Sequence, residues 1–278
     1  MLIPLIGLTQ SKKAVKFFNA GEDLFNKSNY QDAIESFSSA IEKFPEYYEA
    51  FNNRGNSYAN IGEFKNAITN YNKAIEIDPK NADAYYNRGY TYRNMGEFEN
   101  ALKDFNKVIE LNPNDLESYI NKGEIFKDIG EYKKAEEEFS KSISLDSNYT
   151  EIYFNRGCCN SELKNYKQAI KDFTKAIGLK PDFPVAYFNR GVVKAELKDY
   201  TGAIADYNKA IELEPYFSQA YGGRGNSRAE LKGYAEAMKD FTKAIELNPY
   251  FLRSAVDYNN RGVVKAELKD YTGAIADY

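Results

Sequence analysis

The groups with chemical reach in this chain return at fixed intervals. Asn53, Asn87, Asn121, Asn155 and Asn189 stand 34 residues apart, with Asn19 before them and Asn260 after. Gly223 interrupts the series where a further Asn is due. A carboxamide donates and accepts hydrogen bonds at once. A row of them at one height can hold the backbone of an extended chain with little regard to its side chains. Bonding to backbone inside the fold, as packing, is the other role open to them. Beside each Asn from 53 onwards, and beside Gly223, stands a cation: Arg54, Arg88, Lys122, Arg156, Arg190, Arg224 and Arg261. Sixteen residues beyond most of these is an acid: Asp104, Glu138, Asp172, Asp206, Asp240 and Asp277. The match predicts a repeated structural ion pair, with an anion-binding stripe as the alternative.

Catalytic chemistry has little to work with. There is no His and no Trp in 278 residues, which removes the commonest general base and the commonest metal ligand. Cys158 and Cys159 are the two cysteines, too few for a four-thiolate zinc site. No Gly-rich phosphate loop occurs either. The chain is expected to be no enzyme and to carry no metal or cofactor. Adjacent cysteines cannot build a disulfide framework. Cys159 occupies a small-residue position and is expected to be buried, and a disulfide between the two would be strained. Lys and Arg number 37 against 41 Asp and Glu, a net charge of −4, which disfavours nucleic acid as a partner. No run of about 18 apolar residues is present to span a membrane. The expected compartment is the cytoplasm. The N-terminal MLIPLIGLTQSKK makes a poor signal peptide. Its Ile3, Leu5, Ile6 and Leu8 are expected to cover the first helix pair, with a signal remnant as the alternative.

These groups are positioned by a repeat. Gly21, Gly55, Gly89, Gly123, Gly157, Gly191 and Gly225 recur every 34 residues, and Gly262 follows after 37. The longer step places a three-residue insertion near Leu252-Arg253-Ser254. The units are 14–47, 48–81, 82–115, 116–149, 150–183, 184–217, 218–251 and a partial 255–278, after an N-terminal segment 1–13. With each unit numbered from 1 to 34, position 20 is Ala throughout, from Ala33 to Ala274. Position 4 is aromatic, as in Tyr85 and Tyr187; so is position 17, as in Tyr30 and Phe98, and position 24, as in Phe37 and Tyr207. Pro holds position 32 in six of the seven full units, and Ser147 is the exception. Positions 4, 8, 11 and 14 share one helical face, and 17, 20, 24 and 27–28 another. Each unit is thus two amphipathic helices. Gly at position 8 costs about 1 kcal/mol against Ala within a helix, so its recurrence implies that a neighbour approaches closely. The turn between the helices holds Gly62, Gly96 and Gly130 early and Lys-Asn, Lys-Asp or Lys-Gly later. Asn, Asp and Gly tolerate left-handed backbone, so the special residue is expected to move by one.

This pattern of small residues at 8, 20 and 27, aromatics at 4, 17 and 24 and Pro at 32 resembles the tetratricopeptide repeat, over 14–278. The resemblance implies an all-α fold: a right-handed superhelical solenoid of helix–turn–helix units, with first helices lining a concave groove. It implies a non-enzymatic scaffold that binds an extended peptide or partner protein there. The alternative is a targeting module of a longer enzyme whose catalytic part lies elsewhere.

In the family, groove residues come from positions 2, 5, 6, 9, 12 and 13. Position 6 is the Asn series, resembling the asparagine ladder of O-linked N-acetylglucosamine transferase. Position 5 supplies Phe18, Tyr86, Ile120, Phe154 and Phe188, as apolar pockets or as core. Position 2 supplies Glu49, Asp83, Glu117 and Glu151, and position 13 Asp128, Glu162, Glu196, Glu230 and Glu267. Against the basic Arg93 and Lys127, that lining favours a neutral or basic partner segment, unless it is only a solvated face. The family's carboxylate clamp for acidic chaperone tails needs Lys at positions 5 and 2; neither occurs, so no such clamp is expected. Position 11 becomes Asn160, Lys194, Arg228 and Lys265 in later units, where looser packing is expected. Residues 189–207 recur unchanged as 260–278, the mark of a recent duplication. The stop within a second helix at Tyr278 reads as a truncation or fragment, with an end that docks on another chain as the alternative.

Overall fold

The computed structural model describes residues 12–248 and 252–278; Ile3, Leu5, Ile6 and Leu8 lie outside them. The described residues form sixteen α-helices and no strand. They run α1 (Lys12–Asn26), α2 (Tyr30–Lys43), α3 (Tyr48–Asn60), α4 (Phe64–Ile77), α5 (Ala82–Asn94), α6 (Phe98–Leu111), α7 (Leu116–Asp128) and α8 (Tyr132–Leu145). Then come α9 (Thr150–Glu162), α10 (Tyr166–Leu179), α11 (Pro184–Glu196), α12 (Tyr200–Leu213), α13 (Ser218–Glu230), α14 (Tyr234–Leu247), α15 (Leu252–Glu267) and α16 (Tyr271–Asp277). The aromatic residue at position 17 opens every second helix. α15 has 16 residues where α13 has 13, so the inserted residues lengthen that helix by about one turn.

The chain divides into two compact units, Met1–Ile125 and Phe126–Tyr278. In the first, α1 touches α3 and α3 touches α5; in the second, α9, α11, α13 and α15 touch in succession. Within neither unit does a second helix touch the next second helix, among the described residues. Each stack therefore curls toward the face made by its first helices.

The core repeats with the sequence. Ala33, Ala67, Ala101, Ala135, Ala169, Ala203 and Ala237 are fully buried, and so are Phe37, Phe105, Phe139, Phe173 and Phe241 at position 24. The glycine at position 8 makes room for that ring. A Cβ on Gly55 would lie 2.6 Å from the Tyr71 ring, and one on Gly157 2.8 Å from Phe173. Neither distance is sterically allowed, so only glycine lets the two helices of a hairpin come this close.

The turns differ from expectation. Position 15 is left-handed throughout: Ser28 at φ 59°, Gly62, Gly96 and Gly130 at φ 76 to 81°, then Lys164, Lys198, Lys232 and Lys269 at φ 59 to 65°. Asn, Asp and Gly at the next position do not take over the left-handed role; lysine adopts it. Backbone bonds hold it there, as where Lys164 N–H donates to Ser161 O (2.9 Å) and Asn165 N–H to Asn160 O (2.8 Å). These close the helix end and outweigh a left-handed penalty of about 1–2 kcal/mol.

Candidate functional site

The first-helix face carries the Asn series, and a side-chain network runs through it. In the first unit Asn121 is buried, and both of its donors and its carbonyl oxygen are engaged. It donates to Glu117 O (2.8 Å) and the Tyr86 hydroxyl (3.3 Å), and accepts from Arg93 Nη1 (2.7 Å). Arg93 also pairs with Glu124 at 2.7 Å. Asn87 donates to Asn52 Oδ1 at 3.1 Å. In the second unit Asn155 accepts from Lys127 Nζ at 2.9 Å, Asn189 donates to Cys158 Sγ, and Asn260 donates to Asn226 Oδ1 at 2.9 Å. Apart from the bond to Glu117 O, these run to side chains of the preceding 34-residue repeat within the same compact unit. Asn53 is half-buried beside Asn56, Glu22 and Phe25. The series is thus a set of rungs tying successive first helices together. Asn53, Asn87, Asn155 and Asn189 keep partial exposure; Asn121 does not.

Position 5 belongs partly to the core. Phe154 meets Phe173 and Phe183 at 5.8 and 4.9 Å between centroids. Phe188 meets Tyr207 and Phe217 at 5.8 and 5.0 Å, and Tyr86 meets Phe105 at 5.7 Å. All three remain half-exposed. The Tyr86 hydroxyl pKa is raised, first by burial and then by the Glu117 carboxylate. Glu117 and Glu151 are exposed, as are Glu162, Glu196, Glu230 and Glu267.

The largest departure in the face is at α13, where positions 5 and 6 are Gly222 and Gly223. Above this bare stretch opens a cleft of ≈ 690 Å³ between α11, α13 and α15. Val192, Val256 and Val263 supply apolar wall, and Glu196, Glu230 and Asp257 supply carboxylates. The buried Tyr207 packs beneath Gly223, and Asp257 lies against Gly222: a Cβ on Gly223 would meet Tyr207 Cζ at 2.8 Å, and one on Gly222 would meet Asp257 Oδ1 at 2.7 Å. The sequence signal for this cleft is the break in the Asn series at Gly223, coupled with a second glycine where the two preceding units carry Phe154 and Phe188.

Five of the ion pairs expected between positions 7 and 23 are present, all of them Arg–Asp. Arg88–Asp104, Arg156–Asp172, Arg190–Asp206, Arg224–Asp240 and Arg261–Asp277 each close at 2.6 to 2.7 Å. Each is bidentate, with Nε as the second donor. The free Nη1 reaches back to the preceding second helix, as from Arg88 to Asn72, Arg156 to Ser140 (3.1 Å) and Arg190 to Thr174 (3.0 Å). The guanidinium also lies over the ring at position 4, 5.2 Å from Tyr221 for Arg224. These arginines are structural, and their charge is spent inside the stack. The looser packing expected at position 11 is absent. Asn160, Lys194, Arg228 and Lys265 instead give the buried Asp a further partner, at 3.2, 2.7, 2.7 and 2.8 Å.

Both cysteines are free thiols, with Cys159 buried. Burial pushes the Cys158 thiol up to about 11 and that of Cys159 to about 12, so neither is a nucleophile at neutral pH. Among the described residues no group of His, Cys, Asp and Glu is placed to hold a metal ion, and no helix is long and apolar enough to cross a membrane.

Family models described as tetratricopeptide repeat match residues 82–115, 116–149, 150–183, 184–217 and 218–251, and one described as TPR repeat matches 55–96. Together they run without a gap over well over half of the chain. The chain belongs to the tetratricopeptide repeat family. No curated protein matches it. Among solved structures, a MamA protein is 30% identical with a TM-score of 0.59, over 60% of this chain and 92% of that one. YrrB, described as a TPR protein with an unusual peptide-binding site, is 26% identical with a TM-score of 0.62, over 67% of this chain and 96% of its own. The C-terminal part of a repeat protein from Cytophaga hutchinsonii reaches a TM-score of 0.74 at 19% identity, over 86% and 98%; it shows the fold alone. As a tetratricopeptide repeat solenoid the chain is an all-α interaction scaffold.

Proposed function

We propose that the chain binds an extended segment of a partner protein along its first-helix face. The observation that carries this reading is the cleft over Gly222 and Gly223, lined by three successive first helices. A face otherwise filled by Asn and aromatic side chains leaves room there for a ligand residue to enter. The similarity to YrrB, described as having a peptide-binding site, supports it. The contact residues we assign are Asn53, Asn87, Asn155 and Asn189 for backbone, Tyr86, Phe154 and Phe188 for apolar groups, and Glu117 and Glu151 for charge. Asn121 positions Arg93 instead. A neutral or basic segment suits this lining, and an acidic chaperone tail does not. The repeat units within 14–278 would each add one rung, except the unit 218–251, where Gly223 replaces the Asn. The free thiols of Cys158 and Cys159 suit a reducing compartment, and we place the protein in the cytoplasm.

Short random peptides selected on the full chain provide the test. A bound peptide should slow amide exchange in α9, α11 and α13 and leave α10 and α12 unchanged. The double variant Asn155→Ala, Asn189→Ala should weaken it about tenfold, as expected for roughly 1.4 kcal/mol of lost bonding. Protection confined to the second helices would sink the reading.

A further inference from the structure

The cleft over Gly222 and Gly223 has walls and floor of different chemistry. Its apolar side is made of Val192, Val256 and Val263, the last two 55% and 47% exposed. Its polar side combines the Glu196, Glu230 and Asp257 carboxylates with the neutral Gln219, Asn226, Ser227 and Asn260, and Lys198 is the single cation among the described lining residues. The Asp257 carboxylate reaches the floor itself, with Oδ1 within 2.7 Å of where a Gly222 Cβ would stand. Glu230 accepts from the Tyr200 hydroxyl at 3.3 Å. Burial and the Glu230 and Glu196 carboxylates raise the pKa of that hydroxyl, a sign of the negative potential at this end of the cleft. An apolar ligand side chain would strip water from these carboxylates without replacing it, and an acidic one would be repelled. A long aliphatic stem ending in a cation matches both surfaces: methylenes against the valines, charge toward the carboxylates.

We propose that this cleft selects one basic side chain, lysine or arginine, of the bound partner segment. The assignment rests on the groove reading above and adds to it which residue of the partner is read. The Asn rungs hold backbone without regard to sequence, whereas the glycine pair removes one rung and one ring and puts a charge-selective socket in their place.

The experiment selects short random peptides on the full chain and on the variant Glu196→Gln/Glu230→Gln/Asp257→Asn. Wild type should enrich peptides with lysine or arginine at one shared place. A selected lysine peptide should bind about tenfold tighter than its norleucine counterpart, a preference the variant loses while other positions stay selected. The double variant Glu196→Gln/Glu230→Gln, which changes two exposed side chains, carries the test if Asp257→Asn disturbs α15. Peptides that bind without a shared basic place, or a basic preference that survives the neutralised variant, overturn the socket and leave the groove standing. Failure of wild type to enrich any peptide overturns both.

Discussion

Residues 189–207 and 260–278 are the same nineteen residues in two settings. Everything internal to the hairpin is reproduced. Arg190 meets Asp206 at 2.6 Å and Arg261 meets Asp277 at 2.7 Å. The left-handed lysines stand at φ 62 and 65°, and Asp199 and Asp270 cap their helices by accepting from Gly202 and Gly273 N–H, both at 2.9 Å. Burial is not reproduced. Tyr207 is 2% exposed beneath Ala220 and Gly223 of α13, whereas Tyr278 is 67% exposed. A hairpin's geometry is thus written in its own sequence, and its burial is conferred by the next unit. That division is what nearest-neighbour coupling in a repeat array means in residues.

The sharpest way to break the comparison is to truncate the ring. Tyr207→Ala should cost about 3–5 kcal/mol in urea unfolding of the second unit, and Tyr278→Ala within about 0.5 kcal/mol. Equal costs would mean that the hairpin alone fixes the ring's worth. Gly191→Ala and Gly262→Ala come next. Each Cβ would meet a ring, at 2.9 Å from Tyr207 and 2.8 Å from Tyr278. The covered ring cannot yield, so Gly191→Ala should cost roughly 1–3 kcal/mol; the exposed ring can swing away, and Gly262→Ala should cost less than half as much. Lys198→Gly and Lys269→Gly should each stabilise by about 1 kcal/mol, and by the same amount, because the turn is internal to the hairpin. A differential scan that separates the two would show the turn sensing its neighbour.

The smallest effect concerns pH. Asp277 has its pKa held below the usual carboxylate range, first by the Arg261 hydrogen bond and then also by Lys265, against burial. A lowered folded pKa adds stability that is complete above the unfolded value and fades as pH falls through the folded one. Amide exchange in α16, corrected for intrinsic rate, should therefore accelerate below about pH 4 by an amount equivalent to roughly 0.5 kcal/mol. Asp277→Asn should remove that acceleration.

Much of the fold was legible because its determinants lie within one unit. The spacing of Gly21, Gly55 and their successors fixed the period, and the Arg–Asp match at positions 7 and 23 named its own partner. The lysine turns were not legible, since the residue type argues against left-handed backbone and only the helix-end bonds around Lys164 override it. The site was legible in outline. Its positions could be read from the Asn series, but its bonding could not. Whether Asn121 is sealed by Arg93 and Tyr86, or Asn87 left half-open, depends on side chains of the neighbouring unit. Gly223 stood out as an exception in the sequence; that the exception opens a cleft required Tyr207, Asp257 and α15 to be in place.

The arginine at position 7 has a mechanical consequence. Its ion pair lies within its own hairpin, while its Nη1 bond to the hairpin before is to a neutral acceptor such as Ser140 or Thr174. That bond has one charged partner and one contact, whereas the pair with the carboxylate has two charged partners and is bidentate. When two neighbouring hairpins are pulled apart, the single bond to the hydroxyl yields first, and the guanidinium stays on its carboxylate. No buried charge is stranded, and the same donor is waiting when the gap closes. Within each stack the hairpins are stiff links and the arginines soft, self-resetting joints.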